Sequence, residues 1–167
     1  MQNDLQRAFL CYQRGDRDQA AQLAKNILKQ NRRSADAMHL LGLIEKDQGA
    51  LAKAREWFRK GLKVTPKHVH LLNSSGLLEE HLGDPARAES LFRKAMAVDP
   101  AYFHARYNLA NLFDTLHDYP KAARLYRQVL RQQTDHVESL ANLSIILEAQ
   151  HRLDEARSLA QQALQTH

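Results

Sequence analysis

The sequence predicts an all-α fold built as a solenoid of antiparallel helix pairs. Three observations lead there. Ala, Leu, Gln, Arg and Lys are abundant, while only six Gly and four Pro occur in 167 residues, which is a helix-forming composition. Five alanines, Ala20, Ala54, Ala88, Ala122 and Ala156, recur at a spacing of 34. Within each period, two amphipathic stretches flank a turn.

The register is strict. Eight residues after each alanine stands a long apolar side chain: Leu28, Leu62, Met96, Leu130 and Leu164. Twelve residues before it stands a small one: Ala8, Gly42, Gly76, Ala110 and Ser144. The repeats are therefore 1–34, 35–68, 69–102, 103–136 and 137–167, read as a single domain over 1–167. Surface loops tolerate changes of length, so a fixed period implies that each repeat must stack on its neighbours.

In the first repeat, Asp4 and Arg7 occupy positions that are mostly apolar in the inner repeats, as expected of a solvated N-terminal cap. In the second, Met38, Leu41 and Ile44, then Leu51, Ala54, Phe58 and Leu62, recur every three or four residues around a Gln48-Gly49-Ala50 turn. The third turns at Gly83-Asp84-Pro85, where Asp84 suits a helix cap and Pro85 the first helical turn. The fourth turns at His117-Asp118-Tyr119-Pro120 on the same logic. Second helices are expected to stop near Pro66 and Pro100, because proline cannot continue a helix; Thr134 fills that slot in the fourth repeat. The last helix, over 153–167, is rich in Gln161, Gln162 and Gln165. Both a C-terminal cap and a chain that continues are compatible with it.

The columns have a packing reason. A small residue on the first helix and an alanine on the second let the pair approach closely. Phe58, Phe92 and Tyr126, four residues after the alanine, are expected to fill the space between repeats. One pair cannot bury its apolar face alone, but a stack can.

These residues resemble the tetratricopeptide repeat (TPR) family, most clearly in Leu41-Gly42, Ala54, Phe58 and Pro66, and again in Gly76, Gly83, Ala88, Phe92 and Pro100. The resemblance covers the whole chain and implies a right-handed superhelical α-solenoid whose first helices line a concave side. It also departs from the family pattern. The bulky residue early in the first helix (Met38, Leu72, Leu140) becomes Arg106 in the fourth repeat and Asp4 in the first, and the aromatic column lapses to Ala24 and Ala160.

Positions 2, 5, 9, 12 and 13 of a repeat share one helical face, with position 6 at its edge. They offer His39 and Leu43; His70, Asn73, Ser74 and Leu77; His104, Tyr107, Asn108 and Asn111; and Asn142, Ile145 and Glu148. Asn108 and Asn142 are 34 apart, and Asn111 lies one turn beyond Asn108. An amide both donates and accepts, so it can bracket a peptide bond without reading its side chain. The arrangement resembles the asparagine ladder of the repeat domains attached to O-linked N-acetylglucosamine transferases. The expected peptide contacts are His70, Asn73, His104, Tyr107, Asn108, Asn111 and Asn142. The family's carboxylate clamp is not expected, since position 5 reads Leu5, His39, Asn73, Tyr107 and Ala141 and supplies no lysine.

Chemistry of other kinds finds little footing. Nine histidines raise the question of metal, and His68 and His70 flank Val69, but no HExxH and no paired cysteines occur; no metal and no cofactor are expected. Cys11 falls at a packing position and reads as a buried thiol rather than a nucleophile. Ser74-Ser75-Gly76 lies inside a helix and not at a strand–helix turn, and no glycine-rich phosphate loop occurs. Residues 1–68 hold 14 Lys and Arg against 7 Asp and Glu, whereas 69–167 hold 10 against 12. The basic first half lacks the interleaved aromatics that single-stranded nucleic acid would stack on, so nucleic acid is not the expected partner. No apolar run approaches the roughly 20 residues that cross a bilayer, and no signal peptide opens the chain; a cytoplasmic location is expected.

The function expected is therefore non-enzymatic: a protein-interaction scaffold that holds a peptide segment or partner helix in the groove, with self-association through unsealed ends as a further contact. The alternative is a targeting region of a larger enzyme. The segments AMHLLGLIEKDQG and RYNLANLFDTLHDYPKAARLYRQVL are similar to repeat regions that precede bacterial glycosyltransferase or sulfotransferase domains.

Overall fold

The computed structural model describes residues 2–165, so Met1 and the last two positions of the fifth repeat lie outside it. Ten α-helices follow one another, with no strand among the described residues. They are α1 (Gln2–Gln13), α2 (Arg17–Gln30), α3 (Ala35–Asp47), α4 (Leu51–Val64), α5 (Val69–His81), α6 (Pro85–Val98), α7 (Phe103–Thr115), α8 (Tyr119–Leu130), α9 (Val137–Ala149) and α10 (Leu153–Gln165). Each 34-residue repeat holds two of them. By their contacts the helices group into two compact bodies, Met1–Asp84 and Pro85–His167.

In the N-terminal body, Ala8, Ala20, Ala24, Ile27, Leu40, Leu41 and Ile44 form one buried cluster, with Trp57 packed against it. Ala54, Phe58, Leu71 and Leu78 form another. The small-residue column has a more specific role here than close helix approach alone. A Cβ at Gly42 would overlap the ring of Phe58, so the glycine is the seat of the aromatic side chain sixteen residues on. That ring is buried between the helices of its own repeat and reaches Leu71 and Leu78 of the next. Gly61 makes room in the same way, its missing Cβ lying 2.6 Å from Leu71 Cδ1. In the C-terminal body, Ala88, Phe92, Leu109, Ala110, Tyr126, Leu143 and Leu147 form the core. There the column residue Ser144 donates a hydrogen bond to the carbonyl of Ala156 (2.9 Å), tying α9 to α10.

The helix boundaries follow local chemistry. Asp16, Ser34 and Asp118 accept hydrogen bonds from backbone N–H groups of α2, α3 and α8 respectively. α4 and α6 end two residues before Pro66 and Pro100, as expected. α8 stops sooner relative to its repeat, at Leu130, where no proline follows. The turn between the helices of a repeat always uses left-handed backbone at the same position. Gly15, Gly49 and Gly83 supply it at φ 83°, 75° and 79°, and His117 and His151 adopt it at φ 59°.

Two of the nine histidines cap helices, which the spacing of His68 and His70 did not suggest. His68 Nδ1 accepts from Leu71 N (3.2 Å) at the start of α5, and His136 Nδ1 accepts from Ser139 N (3.2 Å) at the start of α9. Arg106, the departure from the bulky column, is also explained. Its guanidinium donates to Gln132 Oε1 (2.7 Å) and to the carbonyl of Pro100 (3.3 Å), fastening α7 to the segments that follow α6 and α8. Cys11, expected to be a buried packing thiol, is half-buried and packs against the N-terminal cluster, and its thiol donates to Gln19 Oε1 (2.9 Å).

Candidate functional site

In the C-terminal body, α7 carries His104, Tyr107, Asn108 and Asn111, and α9 carries Asn142. Helical spacing sets the first four on neighbouring turns. A residue of α8 brings Asn111 and Asn142 together. Tyr126, whose ring is fully buried, donates its hydroxyl to Asn111 Oδ1 (2.6 Å). Asn142 Nδ2 donates to the Tyr126 hydroxyl oxygen (3.1 Å) and to Asn111 Oδ1 (3.3 Å). Burial pushes the Tyr126 phenol well above its ordinary range, and the charge of Asp114 and the presence of Tyr107 push the same way, against the bond from Asn142. The hydroxyl therefore stays protonated and remains a donor.

This network fixes both amides. Once the oxygen of Asn111 and the nitrogen of Asn142 are committed to Tyr126, Asn111 has its Nδ2 group left to donate and Asn142 its Oδ1 left to accept. The remaining donor and acceptor can meet the carbonyl and the N–H that one residue of an extended chain turns to the same side. Sequence analysis assigned Tyr126 to packing alone. Its place in the aromatic column hid its hydroxyl, and only the approach of α7, α8 and α9 reveals it.

Rings border the amides. Tyr107 lies 6.1 Å from Tyr126 and 4.8 Å from His136, and Phe103 meets His136 edge-on at 5.3 Å and His104 at 4.0 Å, centroid to centroid. Tyr107, Asn108, Asn111 and Asn142 are all partly exposed, and His104 is exposed.

The other two expected contacts, His70 and Asn73, stand on α5 in the N-terminal body. Asn73 is buried there, and His70 is exposed. Their surroundings are rich in histidine. His39 of α3 is buried, pairs through Nε2 with Ser74 Oγ (2.9 Å), and lies 5.8 Å from His68, 5.9 Å from Phe58 and 6.4 Å from both Phe9 and His70. Burial, then the neighbouring His68 and His70, pull its pKa down to about 4, so its ring is neutral. His68 accepts a backbone bond at Nδ1, so its proton sits on Nε2, which donates to Asp36 Oδ1 (2.9 Å). That bond holds the Asp36 carboxyl below the usual range. Among the described residues, no group of three His, Cys, Asp or Glu is arranged to hold a metal ion.

Comparison with known proteins places this geometry. A family model described as tetratricopeptide repeat matches residues 10–69, 74–116 and 107–167. No curated protein matches the sequence. The chain superimposes on pilF of Pseudomonas aeruginosa with a TM-score of 0.94 at 19% identity, covering 99% of this chain and 76% of that one. It superimposes on MamA with a TM-score of 0.81 at 20% identity, covering 95% and 93%. It also superimposes on YrrB, described as a TPR protein with an unusual peptide-binding site, with a TM-score of 0.73 at 16% identity, covering 98% and 84%. At such identities the likeness is one of fold.

Proposed function

Since the chain belongs to the tetratricopeptide repeat family, we propose that it is a protein-interaction scaffold whose C-terminal body holds an extended segment of a partner against α7 and α9. The observation that carries this is the Tyr126–Asn111–Asn142 network. It orients one amide to donate to a ligand carbonyl and the other to accept from a ligand N–H. Tyr107, Asn108 and His104 flank the pair on α7 and complete the contact surface. In the N-terminal body, His70 and Asn73 are the corresponding polar positions of α5. The peptide-binding site in the description of YrrB supports the same use of the fold.

Two bonds to the backbone are independent of side-chain identity, so this face holds a chain in place and leaves its specificity to the bordering rings. The expected affinity is about micromolar, because ordering a flexible segment costs much of what the contacts gain.

The test is capture of a diverse peptide pool by the native chain and by Asn111→Ala/Asn142→Ala, after both show equal helicity and equal melting. Enrichment by the native chain that the variant loses is the expected result. Equal enrichment by the two would move the binding surface elsewhere, and no enrichment by either would remove the extended-segment reading.

A further inference from the structure

A second opening lies on the other pair of helices in the C-terminal body. A groove of about 450 Å³ runs between α8 and α10 with α9 beneath it. Leu130, Leu143, Leu147 and Leu159 line it, with Arg127 and Arg131 on the α8 side and Glu155 on the α10 side. That volume falls within the range of small ligand sites, and most of the lining is apolar.

The charge on the rim is not balanced. Arg152 clamps Glu155 with two bonds, Nε to Oε1 (2.7 Å) and Nη2 to Oε2 (2.6 Å). Neither Arg127 nor Arg131 pairs with a carboxylate among the described residues. Two guanidiniums therefore stand over a leucine floor with no counter-charge of their own. A position at the end of α8 accounts for one basic residue through the helix dipole, but not for the open, apolar space between them.

The repeat allows an internal comparison. Leu159 is position 23 of the fifth repeat. In the second repeat that position is Trp57, which packs against the cluster containing Ala20, Ala24 and Ile27 of α2. The junction thus carries a packed indole in the N-terminal body, and its counterpart in the C-terminal body carries Leu159 on the groove wall.

We infer that this groove docks an acidic, leucine-bearing segment of a partner protein. Its aliphatic side chains would lie on the Leu130, Leu143, Leu147 and Leu159 floor, and its flanking carboxylates would take the free guanidiniums of Arg127 and Arg131. Guanidinium–carboxylate bonds are the strong, geometrically specific kind, so they set the sign of the partner while the leucines contribute the apolar burial. This site is separate from the amide pair and does not depend on it.

The probe is a fluorescein-labelled peptide of alternating Glu and Leu, titrated against the full chain by anisotropy. A matched Lys–Leu peptide serves as the control, and decanoate serves as a competitor. In the Asn111→Ala/Asn142→Ala background, which removes backbone-only binding at the amide pair, the Glu–Leu peptide is expected to bind and the Lys–Leu peptide to fail. Arg127→Ala/Arg131→Ala should weaken binding by about tenfold or more. Leu159→Trp, which places the bulkier side chain of Trp57 at the same repeat position, should do the same. The two arginine changes are on the surface, so they carry the test even if Leu159→Trp perturbs folding. The inference is overturned if the Glu–Leu peptide does not bind in that background, if the Lys–Leu peptide binds there as well, or if both groove changes made in that background leave binding unaltered. It is also overturned if decanoate displaces the peptide at micromolar concentration, since the groove would then take a small amphiphilic anion.

Discussion

His39 illustrates how one side chain can make stability depend on acidity. It is buried against Ser74, Phe9 and Phe58, with His68, His70, Asp36 and Lys46 as its charged or titratable neighbours. Its pKa falls from 6.5 to about 4 on folding. Between those values the unfolded chain takes up a proton that the folded chain refuses. The stability present above pH 6.5 is therefore lost progressively as pH falls toward 4, by up to about 3 kcal/mol. Asp36 acts below this window, because its own depressed carboxyl titrates at still lower pH. Unfolding free energies at pH 7 and pH 4.5 should show a steeper loss in the native chain than in His39→Gln. Parallel losses in the two proteins would show that the ring is not shielded from water. The same residue scale governs Tyr126 and Gly42. One hydroxyl decides how two amides point, and one missing Cβ admits a buried ring.

At the scale of the element, the turns within repeats show a common backbone met by different residues. Position 15 is left-handed throughout, with glycine in the first three repeats and histidine in the last two. A side chain in that region pays a steric cost that glycine avoids, partly offset by glycine's greater freedom in the unfolded chain. His151→Gly should therefore stabilise the protein by about 0.5–1 kcal/mol in denaturant unfolding. His117 is a poorer test, since its Nδ1 lies 2.9 Å from the Tyr119 hydroxyl and a substitution would break that contact. A His151→Gly variant less stable than the native chain would mean that the histidine side chain makes contacts worth more than the strain. Side-chain bonds also link helices of successive repeats. Arg55 of α4 pairs with the buried carboxylate of Glu79 on α5, and Tyr12 of α1 donates to Asp47 Oδ2 of α3 (2.8 Å). Burial and that carboxylate push the Tyr12 phenol up to about 12, so the bond keeps its proton at any physiological pH.

At the scale of the whole chain stability is expected to be uneven, because in repeat arrays a unit generally meets only its neighbours. α9 buries Ser139, Leu140, Leu143, Ser144, Ile146 and Leu147, whereas α10 buries only Ala156 and Ala163. Leu153 and Leu164 of α10 are 56% and 77% exposed. Amide hydrogen exchange should therefore be about tenfold or more faster in α10 than in α9, since a helix with little buried apolar area opens locally at low cost. Equal protection in the two helices would show that α10 opens only with the core. None of the described helices is long and apolar enough to cross a membrane, which agrees with the lack of a long apolar run in the sequence.

The repeat length, the ten helices, their turns and most of the buried columns could be read from the sequence. Each is set by short-range chemistry: the three-to-four-residue spacing of apolar side chains, proline at helix ends, and alanine wherever two helices touch. Asn108, Asn111 and Asn142 could be picked out for the same reason, as amides on predictable helical faces. The orientation of two of them could not, because it depends on Tyr126, which is 15 residues from Asn111 and 16 from Asn142. The roles of most histidines were equally hidden. His68 and His136 cap helices and His151 occupies a left-handed turn, none of which the sequence assigned, whereas His117 stood in an expected turn. The groove over Leu159 and the junction at Trp57 occupy the same repeat positions, where Leu147, Glu155 and Ser158 also replace Glu45, Lys53 and Glu56. Only packing between helices shows which of them leaves space, since an empty volume belongs to no residue and has no signature in a linear pattern.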